Sequence, residues 1–107
     1  MSLDFISQKE VLKYIQSKDS VVIDIRDKAL YQKGHIPGAL SMPYDTFDDT
    51  DPILRKYGTI ILCCEHGATS LLLGRRLSQS GYRVLSIGGG MEAWRRNGSM
   101  AGTRCIN

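Results

Sequence analysis

Cys64 stands where a strand-like run of residues meets a helix-like run, a position that suits a nucleophilic thiolate. Residues 59–63 are mostly apolar and β-branched, which is typical of a buried strand, and a short segment containing Gly67 leads into a run with helical spacing. Unpaired backbone N–H groups and the positive end of a helix dipole both favour a thiolate at such a junction. Because the thiolate is the form of cysteine that attacks, the sequence predicts that Cys64 is a catalytic nucleophile.

The residues that follow Cys64 predict a cradle for an anion. Consecutive backbone amides curled around a sulfur atom form a nest that can stabilise a thiolate, an anionic substrate and a charged intermediate. Gly67 supplies the backbone freedom that the curl needs. The hydroxyls of Thr69 and Ser70 can cap the helix, which is expected to begin near Ser70, or donate to the sulfur. The predicted substrate-binding residues are Glu65, His66, Gly67, Ala68, Thr69 and Ser70.

The other two cysteines are expected to have simpler roles. Cys63 still belongs to the strand, so we expect a buried structural thiol, and a disulfide between Cys63 and Cys64 would need a strained ring. Cys105 is expected to be an incidental surface cysteine, with a resolving thiol as the alternative if the tail folds back. Three cysteines do not make a disulfide framework, so the chain is expected in the cytoplasm with reduced thiols.

The composition narrows the class of protein. The chain has 107 residues, of which 42% are hydrophobic and 23% charged, as in an ordinary globular domain with one core. Its net charge of +3 comes from scattered Lys and Arg residues, which argues against nucleic-acid binding. No apolar run approaches the ~20 residues that cross a bilayer, and the first residues lack the features of a signal peptide. We therefore expect no membrane association.

Alternating strand-like and helix-like segments must position Cys64. The segments predicted as strands are 3–6, 21–25, 39–42, 59–63 and 83–87. The segments predicted as helices are 8–17, 27–33, 53–57, about 70–80, and a last one from 91 to near 98. This order predicts an α/β fold with a parallel sheet and helices on both of its faces. Residues 1–98 are assigned to this domain and 99–107 to a tail that we expect to be partly ordered.

Three polar residues outside the loop are candidates for supporting roles. Asp24 and Arg26 lie at the carboxyl end of a predicted strand, where open α/β sheets place their ligand crevices. We expect Asp24 to be structural, capping a loop or pairing with Arg26, with a functional role as the alternative. His35 is expected to be partly buried and bonded to the backbone, rather than an acid–base group. No metal site is expected from the irregularly spaced acidic residues Asp45, Asp48, Asp49 and Asp51.

These residues together resemble the single-domain rhodanese family of sulfurtransferases. The matching motifs occur in the family's order over roughly residues 4–98: VIDIR at 22–26, GHIPGA at 34–39, Cys64 with its loop, GY at 81–82 and GGMEAW at 89–94. The resemblance implies a five-stranded parallel sheet flanked by helices. It also implies that the protein needs no metal or organic cofactor.

The resemblance further implies a ping-pong reaction at Cys64. The cysteine takes a sulfane sulfur from a donor such as thiosulfate or a persulfide, and becomes a Cys64 persulfide. It then passes the sulfur to cyanide, a thiol or a protein partner. Loop residues 65–69 would hold the anion, chiefly through backbone N–H groups, and Asp24, Arg26 and His35 would be mostly structural. A catalytically weak binding or redox-sensing module is the alternative.

Two positions depart from the family's pattern. Many relatives carry an arginine in the loop, often where Thr69 stands, and some carry a basic residue where Glu65 stands. A protonated His66 would add positive potential, but Glu65 opposes it, so we expect weaker use of thiosulfate than of persulfide donors. A phosphatase or arsenate reductase would need a longer loop closed by an arginine that binds the oxyanion bidentately. The residue six positions after Cys64 is Ser70, which argues against that class.

Overall fold

The chain forms a sheet of five parallel strands. The structure, a computed structural model, describes residues 2–96. The strands are β1 (Ser2–Ile6), β2 (Ser20–Asp24), β3 (Leu40–Ser41), β4 (Thr59–Cys63) and β5 (Arg83–Ile87). They lie in the order β1-β5-β4-β2-β3, and every pair of neighbours is parallel. The predicted fold class is confirmed, and β4, the strand that leads to Cys64, lies at the centre.

Helical segments connect these strands. The α-helices are α1 (Gln8–Ile15), α2 (Lys28–Lys33), α3 (Ala68–Gln79) and α4 (Gly90–Arg96). Two 3-10 helices, Tyr44–Thr46 and Pro52–Lys56, lie between β3 and β4. The α-helix expected over 53–57 is thus a 3-10 helix. No helix among residues 2–96 is long and apolar enough to cross a membrane.

The start of α3 corrects a prediction that concerns the site. The helix begins at Ala68, not near Ser70, because Gly67 takes a left-handed conformation with a φ of 98° and serves as the N-cap. The carbonyl of Gly67 already accepts a hydrogen bond of 3.2 Å from the amide of Leu71. Ala68 and Thr69, predicted as loop residues, therefore belong to the first helical turn.

The buried side chains form two clusters on opposite faces of the sheet. Successive side chains of a strand point to opposite faces of the sheet. The side chains of Cys63 and Cys64, at the end of β4, therefore lie on opposite faces. Cys63 packs in the cluster that contains Val11 of α1 and Trp94 of α4, whereas Cys64 packs in the cluster that contains Leu73 of α3. Helices therefore cover both faces, as expected, and Cys63 lies within a strand and is buried.

The carboxyl ends of the parallel strands bring distant residues together beside Cys64. Asp24, the last residue of β2, is paired in register with Cys63, the last residue of β4. The amide of Ile25 donates a hydrogen bond of 2.9 Å to the carbonyl of Cys63. This edge of the sheet holds the candidate site. Cys105, the segment 99–107 and the predicted end of the last helix lie outside the described residues.

Candidate active site

The sulfur of Cys64 lies among polar groups of the loop and of the first turn of α3. The amides of Gly67 and Ser70 donate to Sγ at 3.0 and 3.4 Å. The hydroxyl oxygen of Ser70 is 3.4 Å from Sγ. Only 4% of Cys64 is exposed. Two backbone N–H groups thus donate to the sulfur where a negative charge would form, at the N-terminus of a twelve-residue helix.

Two glycines of the last motif shape this loop. The carbonyls of Cys64 and Glu65 accept hydrogen bonds of 2.7 and 3.0 Å from the amides of Met91 and Glu92 at the start of α4. Gly90 has a φ of +60°, and a Cβ there would overlap the carbonyl oxygen of Cys64. Gly89 lies close to Gly67, since a Cβ on Gly67 would be 3.6 Å from the amide nitrogen of Gly89. The motif therefore permits α4 to lie against the loop.

The six predicted substrate-binding residues differ in where they lie. Within the described residues, Gly67 and Ser70 supply the hydrogen bonds to Sγ. Thr69 lines the cleft at Cys64, and Ala68 is exposed. His66 is exposed and its Nδ1 lies 2.7 Å from a carboxylate oxygen of Glu92. The carboxylate of Glu65 forms ion pairs with two arginines, Arg26 and Arg95.

Glu65 bridges the guanidinium groups of Arg26 and Arg95. Its carboxylate lies 3.5 Å from Nη1 of Arg26 and is hydrogen-bonded to Arg95 of α4. Burial raises the pKa of Glu65, but the hydrogen bond and charge of Arg95 and the charge of Arg26 outweigh it, so that the pKa is lowered. Sequence reasoning missed Arg95, because the contact joins residues 30 positions apart.

Asp24 and Arg26 form the expected pair, and the pair is buried. Nη2 of Arg26 lies 2.8 Å from Oδ2 of Asp24, and Nε lies 3.0 and 3.1 Å from the two carboxylate oxygens. The exposed fractions of these side chains are 4% and 1%. Burial lowers the pKa of Arg26, but the hydrogen bonds and charge of Asp24 outweigh it and the pKa is raised. Arg26 also donates to the carbonyl of Gly34 at 2.7 Å, which fixes the start of the GHIPGA turn.

His35 has the backbone contact that was expected. Its Nδ1 lies 2.9 Å from the carbonyl oxygen of Tyr31, and the two rings stack with centroids 3.8 Å apart. The hydroxyl of Tyr31 donates to the carbonyl of Ala39 at 2.6 Å. His35 is half-buried and does not line the cleft at Cys64. These contacts support a structural role in holding the turn against α2.

A cleft of about 480 Å³ opens beside Cys64, and its charged lining is mainly acidic. The acidic residues Asp27, Asp45 and Glu65 line it, and Arg26 is the one basic residue among its described lining residues. Sequence reasoning missed Asp27 and treated Asp45 only as part of a solvated connection. The rule that ligand crevices lie at the carboxyl ends of parallel strands is the signal that points to Asp27.

A second cleft of about 380 Å³ adjoins the first and shares Arg26, Leu30 and Glu65 with it. Its other charged residues are Lys33, at the end of α2, and Arg95. Among the described residues, Lys33 makes no ion pair, whereas Arg95 is paired with Glu65. The two clefts therefore carry opposite charges on either side of Glu65.

Comparisons with known proteins identify the family and the fold. The family model of the rhodanese-like domain matches residues 7–97. A rhodanese-like domain protein from Staphylococcus aureus is 27% identical, with a TM-score of 0.75 over 85% of this chain and 90% of that one. Two further structures share the fold: thiosulfate sulfurtransferase from Pseudomonas aeruginosa and the As-Sb reductase from Leishmania major.

These two structures share the fold of this chain, but at this level of identity their activities are not assigned to it. The Pseudomonas aeruginosa protein is 23% identical with a TM-score of 0.79, and the match covers 97% of this chain but 19% of that one. The Leishmania major reductase is 18% identical with a TM-score of 0.69, over 92% of this chain and 81% of that one. Because the family model spans most of the chain, the assignment rests on that match. The chain belongs to the rhodanese-like domain family.

Proposed function

We propose that the protein is a sulfurtransferase in which Cys64 carries the sulfur as a persulfide. The observation that supports this most directly is the pair of amides, from Gly67 and Ser70, that donate to Sγ at the N-terminus of α3. A sulfur transfer needs a stable anion on the cysteine twice, once as attacking thiolate and once as leaving group. Family membership supports the reaction class.

The proposed reaction consists of two displacements at sulfur. In the first, the Cys64 thiolate attacks the sulfane sulfur of a persulfide R–S–SH, the S–S bond of the donor breaks, and R–S⁻ leaves with the electron pair. In the second, an acceptor thiolate attacks the outer sulfur of the Cys64 persulfide, and the Cys64 thiolate leaves. Neither displacement requires an external oxidant or reductant, so the proposal assigns no role to a metal or organic cofactor.

The charges of the two clefts support a persulfide rather than thiosulfate as the donor. Three acidic residues line the cleft at Cys64, and its one basic residue among those described, Arg26, is already paired with Asp24 and Glu65. Two unit charges about 4 Å apart interact by about 1 kcal/mol in water and by more where solvent is excluded. A thiosulfate dianion is therefore repelled. We propose that a persulfide with a carboxylate tail holds its sulfur at Cys64 and its tail beside Lys33, which lines the adjoining cleft.

A phosphatase is less well supported by the site. The residue at the position of the closing arginine, Ser70, is buried and bonded to Ser86. The nearby guanidinium groups of Arg26 and Arg95 are paired with carboxylates and do not face Sγ in any described hydrogen bond. An oxyanion would therefore find no free bidentate partner among these groups.

A binding module is the second candidate, and one observation favours it. The exposed apolar side chains of Leu30 and Leu72, 38% and 58% exposed, both line the cleft that contains Cys64. Exposed apolar side chains around a site often mark a surface for another protein. Such a surface also fits a protein that accepts sulfur from Cys64, so this candidate differs from the first only in whether sulfur moves.

Steady-state kinetics with two donors test the proposal. We expect kcat/KM for glutathione persulfide to exceed that for thiosulfate by about tenfold or more, equal to about 1.4 kcal/mol of transition-state stabilisation. Both activities should vanish in Cys64→Ser and persist in Cys63→Ser. Comparable values for the two donors would contradict the assigned preference. Transfer from neither donor would favour the binding module, and phosphate release from an aryl phosphate would favour a phosphatase.

A further inference from the structure

Ser70 and Ser86 form a buried pair of hydroxyl groups behind the sulfur of Cys64. Their oxygen atoms lie 2.7 Å apart, and the Ser70 oxygen lies 3.4 Å from Sγ. The exposed fractions of the two serines are 0% and 1%. Ser86 belongs to β5, on the side of the sheet that α3 covers, and no sequence motif pointed to it. The pair therefore connects a neighbouring strand to the candidate nucleophile.

The hydroxyl of Ser70 has only one proton and three acceptors within reach, one of which is the oxygen of Ser86. Its oxygen lies 3.0 Å from the carbonyl oxygen of Gly67, to which it donates, and 3.4 Å from Sγ of Cys64. While Cys64 is a thiol, the S–H group can donate to Ser70 and the Ser70 proton can remain on the carbonyl of Gly67. A thiolate has no proton to give and is stabilised by donors. The Ser70 hydroxyl is then the side-chain donor nearest to it in the described part of the chain.

The carbonyl of Gly67 can release the Ser70 proton without losing all its hydrogen bonds. It also accepts from the amide of Leu71 at 3.2 Å. Turning the Ser70 hydroxyl toward Sγ therefore leaves no buried acceptor without a donor, so this rotation avoids the usual desolvation penalty.

The hydrogen bond from Ser86 determines which acceptors the Ser70 hydroxyl can donate to. A buried hydroxyl proton needs an acceptor, and the hydrogen-bond partner of Ser86 among the described residues is Ser70. When Ser86 donates to Ser70, the Ser70 proton must point elsewhere, to Gly67 or to Sγ. Donation to the Ser70 oxygen also polarises its O–H group and strengthens the bond that it donates.

We propose that Ser86 is a positioning residue whose hydrogen bond to Ser70 lets the Ser70 hydroxyl turn from Gly67 to Sγ when Cys64 loses its proton. The proton that Cys64 loses passes to the solvent buffer, and no covalent bond between heavy atoms changes. The same bond would stabilise the Cys64 thiolate as it leaves in the second displacement. The inference rests on the proposed function, in which the thiolate is the form of Cys64 that acts.

The rate of alkylation of Cys64 by iodoacetamide, followed across pH by peptide mass, tests this role. We expect Ser86→Ala to lower the rate at pH 7 by about three- to tenfold, as for the loss of roughly one net hydrogen bond. The rates of variant and native protein should converge at high pH, where the thiol is ionised in both. Ser86→Thr, which keeps the hydroxyl, should restore the native profile. Alkylation needs no sulfur donor, so its result is independent of whether sulfur transfer occurs.

Two controls separate this role from a structural one. Thr59→Val removes another buried hydroxyl, at the start of β4 and bonded to Arg83, and should leave the alkylation profile unchanged. If Ser86→Ala does not fold, Ser86→Cys, which is nearly the same size and a weak donor, carries the same expectation. A native profile in either folded variant, or an equal loss of rate at every pH, would overturn the proposal.

Discussion

The backbone amide of Met91 donates a hydrogen bond of 2.7 Å to the carbonyl oxygen of Cys64. The amide of Glu92 does the same for Glu65, so the start of α4 holds both carbonyls that precede the curled amides of Gly67 and Ser70. The GGMEAW motif thus positions the loop without contacting Sγ.

Gly90→Ala should disrupt this arrangement. The new Cβ would overlap the carbonyl oxygen of Cys64, and the φ of +60° is strained for alanine. We expect a loss of about 1–3 kcal/mol in the free energy of unfolding by urea, and about a hundredfold loss in kcat/KM from the displaced loop. Gly81→Ala is the matched control, because its φ is +100° but nothing lies within 4 Å of the new Cβ. An equal loss of activity in both variants would show that strain, rather than the overlap, is responsible.

Asp24→Asn should destabilise the fold far more than a comparable change at the surface. The variant leaves the buried guanidinium of Arg26 without its main carboxylate, and breaking a buried ion pair costs about 3–5 kcal/mol. Asp49 pairs with the half-exposed side chain of Arg76 at the same distance of 2.8 Å, so Asp49→Asn should cost about 1 kcal/mol or less. Urea unfolding of both variants measures the difference. Similar midpoints would argue against a structural role for Asp24.

Glu65→Gln should reduce thermal stability in a manner that depends on pH. The folded-state pKa of Glu65 lies below its ordinary value of 4.5, so its stabilising contribution is complete above that value and is lost as the pH falls through the lower folded-state pKa. The Tm difference between native protein and variant should therefore be larger at pH 7 than at pH 3. A difference that is the same at both pH values would contradict the ion pairs with Arg26 and Arg95.

Lys33→Gln should raise KM for a persulfide with a carboxylate tail but not for a neutral one. Lys33 lines the cleft beside Glu65, whereas Lys28, on the same helix, lines neither cleft and provides a matched control. We expect KM for glutathione persulfide to rise by about three- to tenfold in Lys33→Gln, and not in Lys28→Gln. The persulfide of 2-mercaptoethanol should be used equally well by both. A parallel rise for the neutral persulfide would argue against a tail site at Lys33.

The succession of strands and helices along the chain and the place of Cys64 between a strand and a helix could be predicted because their signals are local. Runs of apolar residues predict buried strands. Gly67, which follows a predicted strand and Cys64, predicts the loop. The surroundings of Cys64 could not be read in this way, since Asp45 lines its cleft, Arg95 pairs with Glu65 and Ser86 bonds to Ser70 only through the packing of other elements. The start of α3 was placed two residues late because no pattern in the sequence shows that Gly67 takes a left-handed φ and serves as the N-cap.

The mass of the intact protein after exposure to glutathione persulfide tests the central claim most directly. We predict a gain of one sulfur atom that a thiol reductant removes, that is absent in Cys64→Ser and that persists in Cys63→Ser. Thiosulfate at the same concentration should give less of this adduct. An adduct that survives in Cys64→Ser, or no adduct from either donor on the native protein, would contradict the assignment of Cys64 as the sulfur carrier.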